Sequence, residues 1–408
     1  MADARAVGTA VVAHPGAELY GSDRMTLEAV AGLVDRGWRV VLAVPGDGPL
    51  VVAARELGAT AVVLPVPVLR KSLLRPTAFP GLLAGSIAGA GRIAALLRAE
   101  RPDVVYVGTV TIPLWILVAR LLRLPVVAHV HESERSASRT VRRALVAPLA
   151  LADRVLVNSG HSRAALLEVA PRLAGRSSVL YNGVAGPGAV VQPRERLDGA
   201  FRLVYTGRVS PRKGVDVAVE AVGLLVAEGM DVRLDVVGGV FPGYEWFLES
   251  LTARVAALGL GDRVTFTGFR PEVWSALAEA DMALVPSRDE EPFGNTAVEA
   301  VLAGRPVAVS AIGGLAEAID GFASAIPVTP ADPAALASAI RRVAGSWSGF
   351  RRTAIRLAPI AAARYAPERF RDAVADELRS LAGPVSRPIV EVRAERASRP
   401  PRPAGGPR

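Results

Sequence analysis

The sequence predicts an α/β protein of two successive doubly wound, Rossmann-like domains facing a central cleft. Three observations predict it. Short apolar runs of strand length alternate with longer amphipathic stretches, the mark of βα units feeding a parallel sheet. The alternation breaks over residues 182–200, where four glycines and two prolines cluster, and then restarts. The 408 residues suffice for two hydrophobic cores, and no repeat of solenoid period is present.

In the first domain, residues 1–190, strand patterns fall at 7–13, 39–44, 61–64, 103–107, 126–130, 154–157 and 178–180. Each is a run of β-branched and aliphatic residues too short for a helix. Helical periodicity lies between them, for example over 25–35 and 112–122. The second domain, residues 191–366, has strands at 201–205, 232–237, 264–266, 282–285, 307–309 and 323–326. Its helices are expected at 213–227, 244–258, 272–278, 296–303, 331–343 and 351–365. Residues 367–383 hold a last amphipathic helix, 368–381, expected to cross back to the first domain. From 384 to 408 Pro, Arg, Ser and Gly predominate, so that stretch reads as a disordered basic tail.

The absence of cysteine excludes disulfides and thiolate metal sites. The formal charge of +9 is uneven. Residues 1–190 carry 21 Lys and Arg against 13 Asp and Glu, residues 191–383 carry 21 against 24, and the tail 6 against 2. A basic first half suggests an anionic partner. Aromatic residues are only 5% and no basic–aromatic module is present, which argues against nucleic acid. An anionic membrane surface is the better candidate, with Arg70, Lys71, Arg75, Arg135, Arg139, Arg142 and Arg143 as its basic face. The start of the chain does not read as a signal peptide. The uncharged run from Val104 to Ala119 is only 16 residues and contains Gly108 and Pro113, short of a membrane span. The expected location is cytoplasmic, peripheral at the inner face of the plasma membrane.

Lys213 is one of only two lysines in an arginine-rich chain. With Arg208 it lies in a glycine-bearing turn between a strand and a helix, where backbone N–H groups and the positive end of a helix dipole favour phosphate. A second loop follows the strand at 282–285. Pro292 and Gly294 shape it, Asn295 or Thr296 is expected to cap the next helix, and Glu291 and Glu299 flank that helix start. Two carboxylates around an anion-binding turn suit a ligand with hydroxyls at both ends and phosphate in the middle, such as a nucleotide sugar.

The segment from Glu291 to Glu299 resembles the E-x7-E signature of family 4 glycosyltransferases, which have the two-domain GT-B fold. Gly207-Arg208 with Lys213-Gly214 is similar to that family's diphosphate loop. Further likeness lies at Gly21, Val130-His131-Glu132, Asn182-Gly183-Val184, Gly268-Phe269-Arg270 and Gly313-Gly314-Leu315-Ala316-Glu317, in the family's order.

The resemblance implies that Arg208 and Lys213 bind the donor diphosphate, Glu291 the sugar and Glu299 the ribose. Backbone N–H groups around Phe293, Gly294 and Asn295 would contact sugar or phosphate. His131 would lie near the sugar, Gly268, Phe269 and Arg270 near the base, and His14 and Gly21 on the acceptor side. His131, Glu291, Arg208 and Lys213 are the candidate catalytic set. The resemblance further implies retention of anomeric configuration, no cofactor, and a glycan or lipid-linked acceptor in cell-envelope polysaccharide or glycolipid assembly. No D-x-D metal motif stands near a strand end, and an Arg/Lys pair can replace a divalent cation, so metal independence is expected.

Several residues carry a second reading. His14 fits either acceptor contact or turn packing, and His129 or His131 fits a hydrogen-bonded core histidine. His161 reads as part of a helix start. Arg288, Asp289 and Glu290 read as a solvated loop, and Glu317 reads as a helix-start partner. A nucleotide-sugar epimerase of the same architecture and a non-catalytic nucleotide-sugar-binding protein are the alternatives.

Overall fold

A computed structural model describes residues 7–69, 79–132, 138–240 and 243–382. Two parallel sheets carry the fold. The first contains β1 (Gly8–Ala13), β2 (Trp38–Val44), β3 (Thr60–Val63), β4 (Val104–Val107), β5 (Val126–Val130), β6 (Arg154–Val157) and β7 (Ser177–Val179). Their order is β3-β2-β1-β4-β5-β6-β7. The second contains β8 (Phe201–Thr206), β9 (Val232–Val237), β10 (Val264–Gly268), β11 (Met282–Val285), β12 (Val307–Ser310) and β13 (Ala325–Val328), in the order β10-β9-β8-β11-β12-β13.

Every residue of β4, β5, β11 and β12 is buried. That is the signature of parallel strands covered by helices on both faces, and it explains why they read as unbroken apolar runs. Each sheet has an apolar cluster on either face. Pro327 lies within β13, a position the sequence reading avoided by placing that strand two residues earlier. At the sheet edge its missing N–H breaks no ladder bond.

In the first lobe the helices are α1 (Gly21–Asp35), α2 (Pro49–Glu56), α3 (Phe79–Glu100), α4 (Pro113–Leu121), α5 (Arg139–Val146) and α6 (Gly160–Val169). In the second they are α7 (Val215–Ala227), α8 (Glu245–Ala257), α9 (Trp274–Glu279), α10 (Asn295–Leu302), α11 (Gly314–Ala318), α12 (Pro333–Gly345) and α13 (Trp347–Arg364). The last helix, α14 (Pro367–Leu381), returns to the first lobe. Its Phe370, Val374, Ala375 and Leu378 join the core beside β1 and β4. Arg371 Nε donates to Glu28 Oε2 on α1 at 2.7 Å. The expected tail, 384–408, and Arg70, Lys71, Arg75 and Arg135 lie outside the described residues.

In each sheet the strand order reverses once, between β1 and β4 and between β8 and β11. Loops leaving neighbouring strands at such a reversal diverge to opposite faces and open a crevice at the strands' C-terminal ends.

Candidate active site

In the second lobe that crevice is bounded by residues 207–214, which follow β8, and 286–294, which follow β11. The two loops are in backbone contact. Arg288 N–H donates to Arg212 O at 2.9 Å, and Arg212 Nη1 donates to Glu290 O at 2.8 Å. Gly214 is left-handed, φ 69°, and a Cβ there would stand 1.9 Å from Pro286 O. Any side chain would force the loops apart. This turn also corrects the sequence expectation of a helix from Lys213: Pro211–Lys213 form a short 3-10 turn, and α7 begins after the glycine.

The contact brings together two charges 78 positions apart. Lys213 Nζ donates to Glu291 Oε2 at 2.7 Å, and the Ser287 hydroxyl donates to Oε1. The side chains are 16% and 8% exposed, so this pair is shielded from water. Burial alone would raise the Glu291 carboxyl. The charge and hydrogen bond of Lys213, aided by Ser287 and Arg212, outweigh it and hold the carboxyl below its ordinary value. Glu299, one turn into α10, is also buried, and there burial wins: its carboxyl is raised, with Arg24 and Lys213 opposing. Lys213 thus acts electrostatically on both glutamates of the E-x7-E spacing.

Gly294, with φ 125°, is the N-cap of α10, and no side chain caps it. The expected cap from Asn295 or Thr296 is not formed. Asn295 is instead the first helical residue, and its Oδ1 accepts at 2.8 Å from Nδ2 of Asn182, the first residue of the linker. Phe293 turns its ring inward against Tyr181 and Tyr365, so only its backbone faces the crevice.

Arg208 is exposed, and its guanidinium lies 5.3 Å from the centre of the Tyr20 ring, at the seam between lobes. The start of α1 faces the same seam. A Cβ on Gly21 would be 3.6 Å from Asn295 Nδ2, and Arg24 Nη2 donates to Pro271 O at 3.2 Å. Gly21 therefore abuts the loop of the second lobe. Gly268, Phe269 and Arg270 stand exposed at the end of β10, where Gly268 O accepts from Gly238 N–H at 2.9 Å.

In the first lobe, His131 follows β5. It is buried, its Nε2 has no hydrogen-bond partner, and its ring centre is 4.0 Å from that of His129. Burial, then the nearby His129 and His14, push its pKa well below the ordinary value, so it is neutral at physiological pH. His129 is the core histidine. Its Nδ1 pairs with the Tyr106 hydroxyl, its ring stacks on Phe370, and burial lowers it to about 3. Glu132 accepts from the Thr109 hydroxyl and from His131 N–H, and burial raises it to about 7. His14 has both ring nitrogens engaged, Nε2 with Asp23 Oδ1 at 2.7 Å and Nδ1 with Thr26 Oγ1 at 2.8 Å. These bonds tie α1 to the end of β1 and support the turn-packing reading of His14.

Comparison with known proteins bears on what this geometry belongs to. A family model described as Glycosyltransferase Family 4 matches residues 20–185, and one described as Glycosyl transferases group 1 matches residues 200–346. The chain belongs to the family 4 glycosyltransferases. Among curated relatives, the 2-deoxystreptamine glucosyltransferase of Streptomyces kanamyceticus is 36% identical over 39% of this chain and 41% of its own length. The D-inositol 3-phosphate glycosyltransferase of Mycolicibacterium gilvum is 34% identical over 50% of this chain and 47% of its own. The chain spans about half the length of these curated relatives or less. Anabaena HepE, solved with UDP and glucose, superposes with a TM-score of 0.77 at 22% identity, covering 91% of this chain and all of that one. That likeness establishes the GT-B fold.

Sequence reasoning on this family 4 member overlooked three residues at the crevice. Ser287 was read as loop, yet it holds Glu291. Tyr205 was read as strand, yet its buried hydroxyl donates to Arg208 O at 2.7 Å and fixes the loop after β8. Arg24, one turn into α1, acts on Glu299 from the opposite lobe. A tyrosine at the end of a strand, directly before the glycine-bearing turn, was the one available signal.

Proposed function

We propose that the protein transfers a sugar from a nucleotide-sugar donor to a hydroxyl acceptor, with retention of anomeric configuration and without a metal. The observation that carries this is the shielded Lys213–Glu291 pair at the strand-order reversal of the second lobe, with the unpartnered His131 nitrogen after β5 of the first.

In this reading the donor diphosphate displaces part of the Lys213–Glu291 interaction and lies between Lys213 and Arg208. The N–H groups at the start of α10 support it. Glu291 then accepts from sugar hydroxyls and Glu299 from the ribose, while residues 268–270 edge the base. Neutral His131 offers Nε2 to a sugar hydroxyl. The bond from anomeric carbon to phosphate oxygen breaks, and its electron pair stays on that oxygen, where the two cations stabilise it. The acceptor oxygen bonds the anomeric carbon on the same face, and its proton passes to the departing phosphate. Removing one preorganised charge-stabilising group of this kind costs about 3–4 kcal/mol in the barrier.

The acceptor is a glycan or lipid-linked saccharide at the inner face of the plasma membrane. α3, over Pro80–Glu100, is long and apolar enough for a membrane span and lies mostly outside the core, with Leu83 and Ile87 exposed. Arg139 and Arg143 of α5 are exposed as well, whereas Arg142 is paired with Glu168. These features support contact with an anionic bilayer. Equal recovery on anionic and neutral liposomes would end that part of the reading. The relatives' names add cyclitols to the acceptors worth testing.

The deciding experiment incubates UDP-, GDP- and TDP-sugars with and without an acceptor panel of lipid-linked saccharide, inositol 3-phosphate and 2-deoxystreptamine. Acceptor-dependent release of nucleoside diphosphate with an α-linked product from an α-linked donor supports the reading. Conversion of the sugar in donor alone would identify an epimerase instead. Binding without turnover of any pair would identify a binding protein.

A further inference from the structure

The N-terminus of α6, in the first lobe, sits directly on the second-lobe loop that carries Glu291. Glu317, on α11, accepts from Gly160 N–H at 2.8 Å and Tyr181 hydroxyl at 2.7 Å through Oε1, and from His161 N–H at 3.0 Å through Oε2. The hydroxyls of Ser159 and Ser162 both donate to Pro292 O. His161 Nε2 lies 3.2 Å from Glu290 Oε2. The first lobe therefore holds residues 290, 292 and 317, on both sides of the carboxylate that pairs with Lys213.

Within the second lobe, α11 and that loop are joined backbone to backbone. Gly314 N–H donates to Glu291 O at 2.7 Å, and a Cβ on Gly314 would stand 2.2 Å from Pro292 O. Glu317 was expected to serve a helix start, and it does, but the helix belongs to the other lobe. The first N–H groups of α6 have no partner within their own helix, and its positive end favours a carboxylate. Separating the lobes would expose those donors and strip Glu317 of both its bonds to α6.

The geometry points to Glu317 as a positioning residue that ties α6 to the Glu291 loop, so that Glu291 reaches its working place only when the lobes are closed. The inference rests on the donor-site reading above. A nucleoside diphosphate held by the second lobe alone needs no such tie, whereas sugar transfer does.

Glu317→Gln keeps the shape but offers one acceptor oxygen and an NH2 group to three donors, so at least one bond is lost. Tyr181→Phe removes a single bond and leaves the helix N–H pair served. Three readouts are compared with the native protein: amide exchange at residues 160 and 161 without ligand, the Kd for UDP, GDP and ADP, and kcat and KM for transfer. For Glu317→Gln, exchange at least tenfold faster, diphosphate Kd within twofold and kcat lowered tenfold or more are expected. Tyr181→Phe should give a smaller loss, about threefold.

Unchanged exchange would overturn the tie, as would unchanged kcat once exchange has quickened. Diphosphate affinity falling in step with kcat would reassign Glu317 to ordinary support of the second lobe. The exchange measurement needs no substrate, so it judges the tie even if the native protein binds none of the three nucleotides and the donor reading fails.

Discussion

Replacing Lys213 by alanine removes the ammonium from a carboxylate that stays where it is. At the 2.7 Å separation of the Lys213–Glu291 pair, the gross attraction is about 6 kcal/mol at an effective dielectric of 20. Much of that offsets desolvation, and breaking a shielded pair from one side costs about 3–5 kcal/mol net. For a lobe of this size that corresponds to a fall in Tm of roughly 6–20 °C.

The pH dependence is a sharper test of the same idea. In the native protein Glu291 lies below its unfolded value of 4.5, so its contribution is present above that pH and is lost as pH falls through the depressed value. Without Lys213, burial faces only Ser287 and Arg212, and the carboxyl shifts upward. The deficit of the variant should then be full at pH 7 and shrink as pH falls, first through the variant's raised value and then, below 4.5, through the native depressed one. Urea unfolding of the native protein and Lys213→Ala, followed by far-UV circular dichroism at pH 7 and pH 4, measures both quantities. The double variant Lys213→Ala/Glu291→Gln should recover more than half of the loss, since no orphan charge remains. A deficit under about 1 kcal/mol at pH 7, or one of equal size at both pH values, would refute the reasoning.

Glu299→Gln should weaken nucleoside diphosphate binding about 10–100-fold by calorimetry with little change in Tm, since hydrogen bonds to a charged group contribute about 1.5–3 kcal/mol; unchanged affinity would remove its ribose role. His129 and His131 are held neutral, so unfolding takes up protons as pH falls below the unfolded histidine value of 6.5. First-lobe stability should decline over that range by about 1.4 kcal/mol per pH unit per histidine, and His129→Gln should halve the slope in a denaturation series. Transfer should persist unchanged in EDTA. A several-fold loss restored by Mg2+ or Mn2+ would place a metal in the mechanism.

The strand pattern was readable because burial on both faces leaves a local mark. β5, β6, β9 and β11 begin and end where the apolar runs do. Helix starts were less readable. Whether α7 begins at Lys213 or Val215 depends on the left-handed Gly214, forced by the nearness of Pro286 O, a residue far away in sequence. Asn295 was expected to cap α10 by residue type, and its side chain instead reaches Asn182. His14 fitted either acceptor contact or turn packing, and two bonds from α1 engage its ring.

By itself, then, the chain's order of residues determined which side chains stand at the C-terminal ends of strands, because periodicity and turn residues act over a few positions. Lys213, Glu291, Glu299 and His131 were all placed that way. Their partners were decided by tertiary structure alone. The adjacency of β8 and β11 joins Lys213 to Glu291, and the meeting of the lobes puts Glu317 on the start of α6. Strand order and lobe contact arise from burying whole apolar faces against one another, a non-local outcome that no short stretch of sequence encodes.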